Sequence, residues 1–239
     1  MNKKFFKENG FVIVKNLLSK NEVKEFRNKL SQIRDLTTTW DIPDGITKNK
    51  SLWPLIYNKM LLSKLRDIIG DIKYTQHSDI LVNTNGVGWH RDSADRKFKK
   101  GSDWDESQDP YTIVRVAVYL FDNDKNTTPF SLGLIPKSNK EENFFTKISI
   151  DFNNKINSFL QKFNIEPVLL KKPFFAKPYW PELNSGDAVI FDQRVYHSPN
   201  KFRDHKVGLF LSFGLNNKHS INHIKYYRKN RKELGYLQE

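Results

Sequence analysis

Apolar and polar positions follow two rhythms along this chain, one of period two and one near 3.6, and together they divide it into strands and helices. Over residues 21–33, Val23, Phe26, Leu30 and Ile33 fall at steps of three and four, with Ser19 placed to cap the helix this predicts. A second helix is expected within residues 52–69, ending before Gly70. Residues 141–162 read as partly helical. Residues 79–84 and 188–191 read as strands, one followed and the other preceded by a turn signal, Asn85-Gly86-Val87-Gly88 and Asn184-Ser185-Gly186-Asp187. Residues 111–121 are two-sided. Thr112, Val114, Val116, Val118 and Leu120 make a packing face, while Arg115 shares the other with Tyr111, Ile113, Ala117, Tyr119 and Phe121. Residues 206–213 divide in the same way, with Val207, Leu209, Leu211 and Phe213 opposite Lys206, Gly208, Phe210 and Ser212.

The candidate chemistry sits at the rims of these strands. His90 and Asp92 are two apart in the stretch GWHRDS, so on an extended backbone they project to one face and Arg91 to the other. A third candidate ligand, His197, lies 197 − 90 = 107 residues downstream, shortly after the strand 188–191. Two neutral imidazoles and one carboxylate on one side of an octahedral ion form the facial triad of non-haem Fe(II) oxygenases, with positions left open for cosubstrate and oxygen. A lone His-x-Asp is a weak signal, more often a solvated strand edge. The flanking strand and turn signals are what raise it here. His77, His205, His219 and His223 show no such spacing.

Length and composition fit one domain over residues 1–239, within the range of single-domain barrels. The chain is 38% hydrophobic and 13% aromatic, enough for a substantial core, and has no cysteine, so disulfides and thiolate metal sites are excluded. No apolar run approaches the roughly 20 residues of a membrane span. Lys7, Glu8 and Asn9 interrupt any signal-peptide core, and the last residues are no peroxisomal address, so a cytoplasmic location is expected. The net charge of +13 comes mainly from lysine spread along the whole length, and a nucleic-acid partner is not expected from it. Only residues 225–232 concentrate it. There a solvated basic helix with inward tyrosines is favoured over a phosphate site.

Several separate stretches resemble the phytanoyl-CoA dioxygenase family of Fe(II)/2-oxoglutarate oxygenases. Residues 5–19 are similar to its first strand running into its first helix; Trp89-His90-Arg91-Asp92 to its metal motif; residues 115–122 with 132–140 to its central strand and the following "IPGSHK" segment; and residues 186–200 to its distal-histidine motif. The resemblance implies a mainly β fold with flanking α-helices, a double-stranded β-helix or jelly roll of the cupin-like kind. It implies Fe(II) held by His90, Asp92 and His197, with 2-oxoglutarate as cosubstrate and O2 as oxidant. It also implies hydroxylation of a C–H bond of a small-molecule or carbohydrate-type substrate, anionic or glycan-derived. Because Asp92 is retained, halogenation is disfavoured.

Two departures stand out. Where the family carries an arginine for the far carboxylate of 2-oxoglutarate, this chain has Lys206, which keeps the charge and loses the bidentate fork. The "IPGSHK" segment reads Pro136-Lys137-Ser138-Asn139-Lys140. Arg203, Arg115, Ser212 and Asn83 are the other candidates for binding the cosubstrate, and Arg115 is equally suited to a structural carboxylate. Arg91, Arg96, Phe98, Lys99, Lys100, Trp104 and Tyr196 are close enough in sequence to the ligands to meet a substrate. The aromatic loop 174–181 either covers the site or is pinned to the core. Three other readings stay open: a non-catalytic jelly-roll binding protein with a vestigial site, a nucleic-acid demethylase of the same superfamily, and a metal hydrolase. The oligomeric state is open as well.

Overall fold

The computed structural model describes residues 2–84, 88–92, 98–99, 113–120, 132–200 and 206–233. In chain order these form α1 (Asn2–Asn9), β1 (Phe11–Val14), α2 (Lys20–Ile33), β2 (Trp40–Pro43), α3 (Gly45–Lys48), α4 (Trp53–Ile56), α5 (Lys59–Ile69), β3 (Ile72–Val82), β4 (Ile113–Leu120), β5 (Leu132–Leu134), α6 (Phe144–Lys162), β6 (Ala188–Asp192), β7 (His197–Pro199), β8 (Val207–Leu215) and α7 (Lys218–Glu233).

Six strands pair antiparallel in the order β1-β6-β4-β8-β3-β2, and β5 pairs with β7 in a second, smaller sheet. Strand parity decides which core each residue joins. Val114, Val116, Val118 and Leu120 of β4, with Val207, Leu209, Leu211 and Phe213 of β8, pack against Val23, Phe26 and Leu30 of α2 and Leu61, Leu65 and Ile68 of α5. Ala117, Tyr119 and Phe210 face the other way and meet Leu132 and Leu134 of the small sheet. This is the jelly roll: two antiparallel sheets enclosing a second core, with helices over the outer face of the larger one.

α2 follows the sequence pattern closely. Ser19 and Glu22 form a reciprocal capping box, and Val23, Phe26 and Leu30 are buried. The helix expected within residues 52–69 is interrupted near Tyr57 and Asn58. Asn58 caps α5 by accepting from the Leu61 amide, and Gly70 ends it. Residues 5–9, expected within the first strand, are helical. Gly10, at φ 83°, turns the chain into β1, and a Cβ there would stand 2.5 Å from Val195. β3 begins seven residues before the expected 79, because its first half is polar and its register shifts between Tyr74 and Ser78, with Gln76 at φ 59°. Tyr111, Thr112 and Phe121 lie outside the described residues.

Candidate metal centre

His90 and His197 are brought together by a two-residue antiparallel bridge. Each backbone N–H donates to the other's carbonyl at 3.0 Å, so the ligands are rungs of one ladder despite their separation in sequence. Two residues on, the Asp92 amide donates to Gln193 O at 2.7 Å and keeps that segment extended, turning Asp92 to the same side as His90. The ligand atoms of all three residues lie within 4.8 Å of one another. His90 Nε2 is 3.7 Å from Asp92 Oδ1, and His197 Nε2 is 3.7 Å from Asp92 Oδ2.

The orientation of the rings tests whether this group fits a cation. His90 Nδ1 is 3.0 Å from Gly88 O, and His197 Nδ1 is 3.0 Å from Val195 O. A carbonyl oxygen only accepts, so each Nδ1 carries the ring proton and each Nε2 keeps its lone pair, aimed at the shared point beside Asp92. Burial lowers the His197 imidazolium to about 4, and the neighbouring His90 pushes in the same direction, so at neutral pH it is a neutral donor. Burial acts to raise the Asp92 carboxyl, but its electrostatic interactions with the flanking His197, Arg115 and His90 side chains, of which the Arg115 guanidinium carries the lasting positive charge, outweigh it and hold Asp92 ionised, far below the usual carboxylate range. Two neutral nitrogens and one carboxylate is the donor set a divalent iron takes.

Arg115 anchors this arrangement. Its Nη2 pairs with Asp79 at 3.0 Å, its Nε lies 3.2 Å from Asp92, and its Nη1 donates to Ser212 Oγ at 3.0 Å; Ser212 is its cross-strand neighbour on β8. Of the alternatives raised for Arg115, it is the structural carboxylate that the geometry provides. Asp79 in turn receives Arg231 of α7 at 2.7 Å, and Arg231 also reaches Asp44 at 2.9 Å. Tyr227, one turn earlier on α7, donates its hydroxyl to the Asp92 carbonyl at 2.6 Å and stacks on His77 at 3.8 Å between ring centroids.

The triad opens into a cavity of about 210 Å³ lined also by Arg115, Tyr119, Leu132, Lys206 and Phe210. Lys206 is buried in its wall, and burial lowers its ammonium to about 8. The other sequence candidates lie elsewhere. Asn83 donates its amide to the carbonyls of Leu36 and Thr38 and fixes a loop instead of facing the cavity. Ser212 uses its hydroxyl on Arg115. The room left by Gly208 is occupied by the Phe210 ring, which a Cβ would meet at 2.8 Å. Arg203 lies outside the described residues, as do Arg96, Lys100 and Trp104. Arg91 and Tyr196 face away from the metal ligands. The Arg91 guanidinium is fully buried, stacks 3.5 Å over the Tyr196 ring and pairs with Glu142, next to a separate cavity of about 600 Å³ that touches none of the triad. Phe98 packs against the same guanidinium at 5.5 Å. In the loop 174–181, Tyr179 stacks on Phe11 and Trp180 packs on Trp89, so this part is pinned to the body.

With the geometry in view, the sequence model for phytanoyl-CoA dioxygenase (PhyH) matches residues 6–201. The chain belongs to the phytanoyl-CoA dioxygenase family. Solved structures agree at the level of fold. HygX of Streptomyces hygroscopicus with iron bound superposes with a TM-score of 0.64 at 16% identity, covering 90% of this chain and 86% of HygX. The 2-oxoglutarate-dependent carbocyclase SnoK of nogalamycin biosynthesis gives 0.63 at 15%, covering 90% and 83%, and the epimerase SnoN of the same biosynthesis gives 0.61 at 12%, covering 90% and 82%. HygX has also been solved with nickel, 2-oxoglutarate and hygromycin B. No curated protein matches the chain by sequence. The PhyH match ends before β8 and α7, so Lys206, Tyr227 and Arg231 lie beyond it. Among the described residues, no helix is long and apolar enough to cross a membrane.

Asp79, Tyr227 and Arg231 are the residues that reading the sequence missed. Asp79 carried a signal, an acidic residue that opens the apolar half of its strand and lies in phase with Leu81. Its arginine partners lie 36 and 152 positions away, where no local pattern reaches.

Proposed function

We propose that residues 1–239 act as one Fe(II)- and 2-oxoglutarate-dependent oxygenase unit that hydroxylates a C–H bond of a small organic substrate. The observation that carries this reading is the convergence of two Nε2 lone pairs and the Asp92 carboxylate in a cavity that also contains a buried lysine. His90, Asp92 and His197 would hold the iron. Lys206 would receive the far carboxylate of 2-oxoglutarate through one charge-assisted contact, since Arg115 is already committed to Asp79 and Asp92. Bound together, iron and 2-oxoglutarate supply an oxidant made from O2 that can take hydrogen from an unactivated C–H bond, releasing succinate and CO2. The chain's own residues prepare for this. Arg115 keeps Asp92 ionised and aimed, the two carbonyls fix the histidine tautomers, and Tyr119, Leu132 and Phe210 form an apolar wall that limits water.

The retained carboxylate supports hydroxylation over halide transfer. The fold neighbours include an epimerase and a carbocyclase, so the product is the part that needs measuring. The test is anaerobic titration of Fe(II) and 2-oxoglutarate, read by the weak visible charge-transfer band. Wild type should show the band, His197→Ala should lose it, and Lys206→Ala should need a far higher 2-oxoglutarate concentration to produce it. Bound iron without a band would end the 2-oxoglutarate assignment.

A further inference from the structure

α6 is built inside out. Its buried residues are Thr146, Ser149, Asn153 and Asn157, with Ile150 the one buried apolar side chain among them. Its outer face carries Phe144, Ile148, Phe152, Ile156, Phe159 and Phe163 at steps of four, four, four, three and four, with Phe152 65% and Phe159 60% exposed. Phe174 and Phe175, next to the first turn, are 69% and 78% exposed and extend the stripe; Phe175 touches Phe145 at 5.1 Å. A 19-residue helix is about 28 Å long, so this is a continuous apolar ridge far beyond the scattered single residues of an ordinary surface.

What holds the helix down is hydrogen bonding. Asn157 both donates to Val168 O at 3.1 Å and accepts from Val168 N at 2.8 Å, Thr146 donates to Phe174 O at 2.8 Å, and Asn154 donates to Trp89 O at 3.1 Å. These bonds fix the rotation of α6, and that rotation keeps the apolar ridge outward. The last of them ties the helix to the residue preceding His90.

Charge narrows what fits the ridge. Residues 144–177 contain six lysines and two acids, 6 − 2 = +4, and Lys155, Lys162, Lys171, Lys172 and Lys177 are exposed. A second copy of this chain, also +13, would set lysine against lysine along the same face. A convex row of phenylalanine and isoleucine flanked by lysines matches a deformable surface with a negative rim, into which the rings sink while the lysine ammonium groups stay at the headgroups.

We propose that the outer face of α6, with Phe174 and Phe175, docks the protein on an anionic lipid surface. The inference does not depend on the catalytic reading. The experiment is co-sedimentation of the full chain with vesicles of phosphatidylcholine alone or mixed with phosphatidylglycerol, at about 0.1 M and about 0.5 M salt. Wild type should pellet with the anionic vesicles and be released by salt. A Phe152→Ser, Ile156→Ser, Phe159→Ser variant, altered only at exposed positions, should bind at least about tenfold more weakly. In a second measurement, the emission of Phe152→Trp minus that of wild type, which removes the five native tryptophans, should shift to the blue on anionic vesicles only. Wild type left in the supernatant, equal pelleting of the serine variant, or an unshifted tryptophan would each overturn the proposal. So would a lipid-free dimer, seen by sedimentation velocity, that the serine variant abolishes.

Discussion

Asp79, Asp92, Arg115 and Lys206 sit in the wall of the metal cavity, while on α6 the side chains of Phe144, Phe152 and Phe159 stand in solvent. Both regions reverse the usual arrangement of polar outside and apolar inside, and they do so by different physics. In the cavity wall, charge is taken out of water and the cost is offset by pairing: Arg115 bridges two carboxylates, and Arg231 shares one of them with Asp44. On α6, apolar surface is left in water, and the helix is instead seated by amide and hydroxyl bonds to Val168, Phe174 and Trp89. Where a chain departs from the pattern that folds it, the departure marks work other than folding.

The comparison breaks most sharply at Arg115. Arg115→Met leaves Asp79 and Asp92 facing the cavity without their shared cation, and should cost about 3–5 kcal/mol of stability in metal-free protein. A divalent ion on Asp92 replaces part of the lost charge. Chemical denaturation should therefore show a larger metal-induced gain in the variant than in wild type, and an equal gain would mean that Arg115 does not neutralise Asp92. On the α6 side, Asn157→Ala removes two bonds to Val168 and should cost about 1–3 kcal/mol. Hydrogen exchange should rise locally at residues 164–170. A change confined to α5 would contradict the view that polar bonds seat this helix.

The third test sharpens the cavity half alone. Burial lowers the Lys206 ammonium from 10.5 to about 8. The unfolded chain therefore binds the extra proton between those values, and stability should rise with pH across that window. Cosubstrate binding should move the other way. An anion on Lys206 needs the ammonium, so 2-oxoglutarate affinity should fall about tenfold per pH unit above about 8, whereas Lys206→Arg should stay flat there, as calorimetry can determine. A wild-type affinity that does not change with pH would point to another anchor.

The same two regions separate what could be read in the sequence from what could not. The triad was legible because His90 and Asp92 obey a period of two and His197 follows a recognisable strand. The faces of β4 and β8 were legible for the same reason, and α2 because its apolar positions turn inward at helical steps. The 141–162 segment was readable as helix, yet its orientation was not: periodicity states that two faces differ, and only the bonds from Asn153, Asn154 and Asn157 decide which one is buried. Ser212 and Asn83 are candidates for the cosubstrate by sequence, and in the fold Ser212 Oγ accepts from Arg115 while the Asn83 amide donates to the 36–38 loop. Arg115, Asp79, Asp92 and Arg231 form a unit only in three dimensions.

The hydrogen bond from Tyr227 to the Asp92 carbonyl spans 135 residues of sequence. On a ribosome adding about 5–20 residues per second, a growing chain carries Asp92 for several seconds or more before its latch exists. His197 is made earlier, but β8, which joins β3 to β4 in the sheet, follows it. The order of synthesis therefore places α7, and with it the bond that holds the Asp92 segment, after all three candidate ligands have been made.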